Sequence, residues 1–263
     1  MIERPYPLID FRHVFVSRGT RLVLHDISLK IQVGEHVAIL GPNGCGKTTL
    51  IKTIMRECYP IVKDGSSLTI LGHEQWNILE LRSILGIVSN DLIIDYIGEF
   101  SGREVVISGF FGSIGIWPHH EVTQAMRIKA DEVLACLGIS HLADRHICEM
   151  SSGEIRRILI GRALVHDPKT LLMDEPSTSL DIYAQRELQK TLRKLANSGT
   201  AVLIVTHHLS DIFPEIDRVI LMQNGRVFAD GVKSQVLTAD CLSHLFGIPI
   251  EVIQHNGYYH VLW

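Results

Sequence analysis

The residues with the clearest chemistry form a single glycine-rich run, Gly41-Pro42-Asn43-Gly44-Cys45-Gly46-Lys47-Thr48-Thr49. The run fits G-x-x-x-x-G-K-[ST] without exception, and it lies between an apolar stretch at residues 36–40 and a helix-like stretch at residues 50–55. There the glycines let backbone N–H groups turn towards phosphate oxygens, and the following helix adds the positive end of its dipole. We expect Lys47 to reach the β- and γ-phosphates of a nucleoside triphosphate and the Thr48 hydroxyl to ligate Mg²⁺. A glycine turn that carried Lys-Thr by chance would not need an apolar strand before it and a helix after it.

A second candidate is a pair of acids, Asp174 and Glu175, that ends the apolar run Leu171-Leu172-Met173. An apolar strand that ends in carboxylates places them at the carboxyl edge of a sheet, where open α/β folds bind ligands. Asp174 suits Mg²⁺, directly or through water, and Glu175 suits the task of orienting an attacking water. A lone pair of acids would indicate a solvated strand end, but an intact phosphate loop upstream favours the catalytic interpretation.

Three further segments complete an ordered pattern, namely Met150-Ser151-Ser152-Gly153-Glu154, Ser179-Leu180-Asp181 and Thr206-His207. With these motifs the chain resembles the ATP-binding subunits of ABC transporters over essentially its whole length. The first segment is similar to the family's LSGGQ signature, the second resembles its D-loop, and His207 resembles its switch histidine. The resemblance implies that the chain binds and hydrolyses ATP with Mg²⁺, and that Glu175, His207 and Lys47 are its catalytic residues.

The resemblance also implies the fold, an α/β P-loop NTPase of the ABC type. We expect one domain over residues 1–263, in which residues 1–90 and 151–263 form the nucleotide-binding core and residues 91–150 an inserted helical subdomain. The residue pattern agrees with this division, because buried-strand runs and helices alternate after residue 150, which is typical of a parallel sheet. Short alternating runs at 8–11, 14–16 and 27–31 predict an antiparallel β subdomain. Helices are expected over residues 121–137, with an end at Gly138, and over about residues 182–196.

The signature segment has a physical interpretation of its own. Ser151 and Glu154 form an S-x-x-E capping box, and N–H groups at such a helix start bind anions. In the family this helix end faces the γ-phosphate held by a second subunit. One chain with one phosphate loop therefore implies a partner, either a second copy or a related ATPase chain.

Four positions depart from the family pattern. Ser152 and Glu154 stand where Gly and Gln are usual; Glu154 either slows hydrolysis by its charge or is neutral because the capping box uses it, and we favour the second. Asn90 occupies the position of a glutamine that contacts the metal, and its shorter side chain allows contact through water. Arg18 lies where an aromatic residue stacks on adenine; its guanidinium can also stack, or it is simply solvated.

Composition excludes several classes of protein. Lys and Arg number 25 against 29 Asp and Glu, a net charge of −4, so the chain lacks the basic face of a nucleic-acid binder. Five cysteines without C-x-x-C spacing indicate neither a disulfide framework nor a zinc site, and they are typical of a cytosolic protein. Cys45 is either accessible to thiol reagents in the absence of nucleotide or takes the place of a small residue. We expect no secretory signal, and the longest uncharged apolar stretch, residues 105–117, is too short to cross a bilayer.

The remaining expectations concern the partners. The leading hypothesis is the energy-coupling ATPase of a membrane importer for a metal chelate or oxyanion, which works with a permease and, indirectly, a solute-binding protein. Residues 104–115 and the tail resemble ATPases of such importers, and we expect the region from Phe110 to Trp117 to face the permease. The chain would then lie at the cytoplasmic face of the membrane. The alternatives are a soluble ABC ATPase of repair or translation, and a regulatory module without turnover, which Glu175 and His207 argue against.

Overall fold

The structure is a computed structural model that describes residues 6–89 and 100–263. The chain forms two compact units, one of residues 1–78 with 201–263 and one of residues 79–200. Asn90 lies outside the described residues. Among the described residues, no helix combines the length and the apolar composition that a membrane crossing would require.

Parallel strands form the centre of the first unit. Strand β3 (Val37–Leu40) pairs in parallel with β7 (Ala201–Thr206) on one side and with β8 (Arg218–Gln223) on the other, and β9 (Arg226–Val232) pairs antiparallel with β8. Every residue of β3 and β7 is buried. Burial on both faces explains why these strands read as continuous apolar runs rather than alternating ones.

An antiparallel sheet lies in the same unit and corrects one expectation. It contains β1 (Ile9–Arg18) between β2 (Arg21–Ile31) and β4 (Ser67–Ile70). The sequence predicted separate strands at 8–11 and 14–16, whereas the structure joins them into β1. The join passes through His13, whose φ of 47° coincides with a register shift against β2. A β-bulge interrupts the alternation of side chains without ending the strand.

The helices of the first unit follow the strands that position them. Helix α1 (Lys47–Ile54) starts within the glycine-rich run, directly after Gly46 and three residues before the predicted stretch. The C-terminal part contains α7 (Lys233–Val236), α8 (Ala239–Phe246) and a hairpin of β10 (Glu251–His255) and β11 (Tyr258–Leu262).

The second unit contains two parallel strands, β5 (Leu85–Val88) and β6 (Thr170–Asp174), and most of the helices. The helices are α2 (Ile78–Ile84), α3 (Gly102–Ser108), α4 (Gln124–Cys136), α5 (Ser152–Leu164) and α6 (Ile182–Asn197). Helix α5 packs against α3, α4 and α6, and its buried residues include Ile158, Leu159 and Ile160.

Two predicted helices are found close to their expected bounds. Helix α4 begins later than predicted because Thr123 caps it by accepting a hydrogen bond from the Met126 N–H, and the chain leaves the helix at Gly138, whose φ is 69°. Helix α6 follows Asp181 as expected. The predicted α/β fold, with parallel core strands, antiparallel strands and helices, is confirmed, whereas the boundaries of the subdomains stay a prediction.

Candidate nucleotide site

The glycine-rich run, called the P-loop below, extends from the end of β3 into the first turn of α1. Its first residue is held at the strand end, where the Gly41 N–H donates to the Thr206 carbonyl at 3.3 Å. A Cβ on Gly41 would lie 2.3 Å from the Met222 carbonyl oxygen, so only glycine fits there. Gly46 has a φ of 108°, which glycine alone adopts readily. Close approach at the start and an unusual backbone at the end therefore fix the shape of the loop.

Lys47 lies over this loop. Its ammonium donates to the carbonyls of Gly41 at 2.8 Å and Pro42 at 3.1 Å, and the side chain is only 5% exposed. Next to it, Thr48 is exposed, as are Asn43 and Gly44. A positive group, an exposed hydroxyl and a helix start converge in this loop, and this set of donors fits a polyphosphate with its metal ion.

A second turn, at Asn224-Gly225, is hydrogen-bonded to the P-loop, and it was not predicted from the sequence. The Gly225 N–H donates to the Cys45 carbonyl at 2.9 Å, and the His25 N–H donates to the Gly225 carbonyl at 2.8 Å. A Cβ on Gly225 would lie 2.0 Å from the Val23 carbonyl oxygen. The signal was present, because Asn224-Gly225 lies between two strand-like runs, as in a tight hairpin. Its contact with the P-loop could not be inferred, because the two segments are far apart in the chain.

Cys45 is buried within the P-loop. Its side chain is 4% exposed, and its sulfur would lie 2.7 Å from a Cβ on Gly41. The structure therefore favours the expectation that Cys45 takes the place of a small residue over the expectation that thiol reagents reach it.

His207 follows the end of β7 in the same unit as the P-loop. Its ring is partly buried and lies 3.8 Å, between ring centroids, from that of His208. Arg18 also lies in this unit, exposed at the end of β1 and opposite Arg21 of β2.

The predicted acids lie at the end of β6 in the second unit. Asp174 is the last residue of the strand and 7% exposed. Glu175 is partly buried and has a φ of 49°. A left-handed backbone is rare for glutamate, and such conformations are concentrated at functional sites.

The signature segment starts α5 as a complete capping box. The Ser151 hydroxyl accepts from the Glu154 N–H, and the Glu154 carboxylate accepts from the Ser151 N–H at 2.8 Å. The carboxylate also pairs with the Arg145 guanidinium at 2.9 Å. The Ser151 backbone N–H foremost, then its hydroxyl and Arg145, hold the pKa of Glu154 below its ordinary value, although partial burial acts to raise it. The charge of Glu154 is thus used within the chain.

The signature and the D-loop lie together in this unit. The Ser152 hydroxyl donates to the Ser179 carbonyl at 3.4 Å, and a Cβ on Gly153 would lie 2.8 Å from the Cβ of Ala184. Asp181 caps α6 by accepting from the Ala184 N–H at 2.7 Å. The next two side chains, Ile182 and Tyr183, are 86% and 73% exposed.

The family follows from comparison with known proteins. The family model described as ABC transporter matches residues 24–178. The chain belongs to the ABC transporter family. It is 34% identical over 251 residues to the uncharacterized ABC transporter ATP-binding protein YlmA of Bacillus subtilis (strain 168), covering 94% of this chain and 93% of that one. It is 32% identical over 253 residues to the hemin import ATP-binding protein HmuV of Aliivibrio fischeri (strain ATCC 700601 / ES114), covering 94% and 93%.

Two further similarities are to a relative named for export and to a solved structure. A Nod factor export ATP-binding protein I of Burkholderia orbicola (strain AU 1054) is 32% identical over 235 residues, covering 88% of this chain and 73% of that one. The solved structure of CbiO1 from Clostridium perfringens, part of the ABC transporter complex CbiONQ, superposes with a TM-score of 0.75 at 26% identity, covering 92% and 94%. The chain is thus an ABC ATPase that binds and hydrolyses ATP, and cassettes of this family dimerise and pair with a membrane permease.

Proposed function

We propose that this ATPase energises a membrane importer for a metal chelate or an oxyanion. The observation that carries the nucleotide chemistry is the P-loop, in which the Lys47 ammonium lies on two loop carbonyls beside the exposed Thr48. The solute class is supported by the relatives named for hemin import. One relative is named for export, so the proposed import direction rests on the relatives named for hemin import.

We expect the roles within the nucleotide site to be those that the resemblance to the family implies. The P-loop, Gly41 to Thr49, holds the phosphates, and Arg18 stacks on the base, which unchanged ATP affinity in Arg18→Ala would disprove. Thr48, Asp174 and Asn90 would supply the oxygens for Mg²⁺, whose charge would neutralise charge on the phosphates. Glu175 and His207 orient the attacking water, and Lys47 stabilises the charge that develops on the γ-phosphate.

The second chain completes the site. We expect a homodimer in which Ser151, Ser152, Gly153 and Glu154 face the phosphates bound by the partner, together with Asp181. The exposed Ile182 and Tyr183 support this arrangement, because apolar side chains beside a polar motif are typical of an interface. Water is then excluded from both sides of the nucleotide only when two chains close.

The experiment that tests this proposal uses Glu175→Gln with MgATP. We expect turnover to fall at least about 100-fold, because the carboxylate that orients the attacking water is lost, and a stable dimer to accumulate in light scattering. Glu187→Gln on α6 is the matched control and should keep its turnover. A Glu175→Gln protein that stays monomeric with MgATP would contradict the two-chain site.

The permease is expected to dock on the second unit near Trp117, which is 48% exposed. Phe110 packs edge-on against His166 and borders a groove of about 220 Å³ with Arg82. The chain would then lie at the cytoplasmic membrane face, and a solute-binding protein would act through the permease. We expect Trp117→Asp to reduce co-purification with the permease at least about fivefold while basal turnover persists, as for loss of an interface anchor. The exposed Trp263 provides the control, Trp263→Asp; equal recovery of both variants would exclude this docking region.

A further inference from the structure

The turn that carries His207 is closed by a buried pair of side chains. Thr206, fully buried at the end of β7, donates its hydroxyl proton to the Asp211 carboxylate at 2.5 Å. The same hydroxyl oxygen accepts from the His208 N–H at 3.0 Å. Asp211 is 4% exposed, and its own N–H donates to the His208 carbonyl at 3.2 Å. His207 therefore lies between Thr206 and His208, which are hydrogen-bonded to each other.

Thr206 also joins this turn to the phosphate-binding loop. Its carbonyl accepts from the Gly41 N–H at 3.3 Å, and in the sheet register it lies beside Leu40, the last residue before the P-loop. One residue thus contacts the first P-loop residue through its backbone and the histidine turn through its side chain. A change in the Thr206 side chain would be transmitted to the position of His207 relative to the P-loop.

A carboxylate buried at this point needs a reason, because burial of a charged group is costly unless hydrogen bonds compensate for it. A hydrogen bond to a charged acceptor is shorter and stronger than one between neutral groups. Asp211 therefore holds the Thr206 hydroxyl in one orientation, in which the O–H points at the carboxylate and the oxygen accepts from the His208 N–H. The bond from the His208 N–H to this oxygen ties the backbone on both sides of His207 to the Thr206 side chain.

We propose that Asp211 is a positioning residue for His207, which it orients towards the γ-phosphate through Thr206. The inference rests on the proposed role of His207 in turnover. Both Asp211 and Thr206 are buried, so we expect their effect in the rate of hydrolysis and not in the binding of ATP.

The first test separates rate from binding. In Asp211→Asn we expect kcat to fall about tenfold, because small displacements of a reacting group are costly, with ATP affinity unchanged within twofold. Thr206→Val should lower kcat to a similar extent, whereas Thr206→Ser, which keeps the hydroxyl, should keep the rate of the parent. The control is Asp217→Asn, an exposed acid six residues further on, which should be silent. Equal rates for Thr206→Val and Thr206→Ser would overturn the proposal, and these two variants decide the matter where Asp211→Asn fails to fold.

The second test asks whether Asp211 acts through His207. In a His207→Ala background, Asp211→Asn should change the residual rate less than twofold, whereas a purely structural role predicts the same tenfold loss in both backgrounds. Where His207→Ala leaves no measurable rate, the NMR resonances of the His207 imidazole are measured instead, in proteins that keep His207. Asp211→Asn must shift these resonances relative to the parent. Unshifted resonances would overturn the proposal. His207→Ala with normal turnover would instead refute the proposed role of His207, which distinguishes the two failures.

Discussion

Two helices of this ATPase begin at phosphate-binding motifs, and they begin in opposite ways. Helix α1 starts after Gly46 in a left-handed conformation; within the described chain no side chain caps it, and its first turn contains no acid. Helix α5 starts after Ser151 in an extended conformation, with a complete capping box and Glu154 in its first turn. Both motifs belong to one nucleotide site in the proposed dimer, although their helix starts are satisfied differently.

The difference indicates how the work is divided between the two motifs. The first turn of α1 lacks a side-chain acceptor of its own in the described part of the chain, so we expect a ligand phosphate to complete it. The start of α5 is already completed by Ser151 and Glu154, and Arg145 balances the charge. We infer that α1 binds nucleotide in a single chain, whereas α5 is a preformed surface that a nucleotide on another chain meets. Each prediction below tests one side of this contrast.

The largest effect is expected at α1. Lys47→Ala should weaken ATP binding at least about 100-fold, which corresponds to about 2.8 kcal/mol, because a charge-assisted contact with the phosphates is lost. A fluorescent ATP analogue titrated into the monomeric protein measures it. Lys52→Ala, in the last turn of the same helix, is the control and should bind normally. Normal binding by Lys47→Ala would show that α1 is not the principal phosphate site.

Alanine substitution of the glycines at the two helix starts should lower turnover for different reasons. Gly46→Ala is strained by a φ of 108°, whereas a Cβ on Gly153 meets the Ala184 Cβ at 2.8 Å. We expect each substitution to reduce turnover about tenfold, about 1.4 kcal/mol in the barrier.

Rescue by a second substitution distinguishes the two causes. Ala184→Gly should restore turnover to Gly153→Ala, because it removes the contacting atom. Leu24→Ala should not restore Gly46→Ala, although Leu24 is the side chain nearest to the added Cβ, because the backbone remains strained. Turnover measured on the four proteins checks this, and rescue at both positions would mean that contacts alone explain both glycines.

The capping box should affect stability more than catalysis. Glu154→Ala should lower the free energy of unfolding by about 1 kcal/mol at pH 7, as for loss of a helix cap. Because the folded pKa of Glu154 is lowered, its contribution is complete above the ordinary carboxyl pKa of about 4.3 and is lost as pH falls through the folded pKa. Urea unfolding should therefore show a constant difference from pH 8 to pH 5 and a smaller one below pH 4. The exposed Glu149 supplies the control, Glu149→Ala, and a difference that persists in acid would contradict the assignment.

The contrast between the two helix starts also separates what could be predicted from the sequence. The P-loop and the box at Ser151 and Glu154 are local sequence patterns of nine residues or fewer, and both were predicted. The fully buried strands were predictable for the same reason, because burial on both faces leaves continuous apolar runs.

The contacts that refine the site connect distant segments and leave no local pattern. Gly225 supports Cys45 across 180 residues, and Arg145 reaches Glu154 from the preceding loop. The buried Asp211 reads in the sequence as an ordinary acid of a surface turn, since nothing nearby indicates its bond to Thr206. The bulge at His13 likewise depends on pairing with β2 rather than on the residues of β1 alone.

The smallest effect, and the sharpest test of the contrast, is expected for Glu154→Gln. The amide can still accept from the Ser151 N–H, so the helix start is kept while the negative charge is removed. If the carboxylate is already occupied by Ser151 and Arg145, ATP turnover should stay within about twofold of the parent, since a neutralised charge contributes little at a distance. Steady-state ATPase rates at low and high salt measure it, with Glu149→Gln as the control. A rate that rises severalfold at low salt would mean that the charge of Glu154 repels the nucleotide. The capping carboxylate of α5 would then lower the rate of ATP turnover.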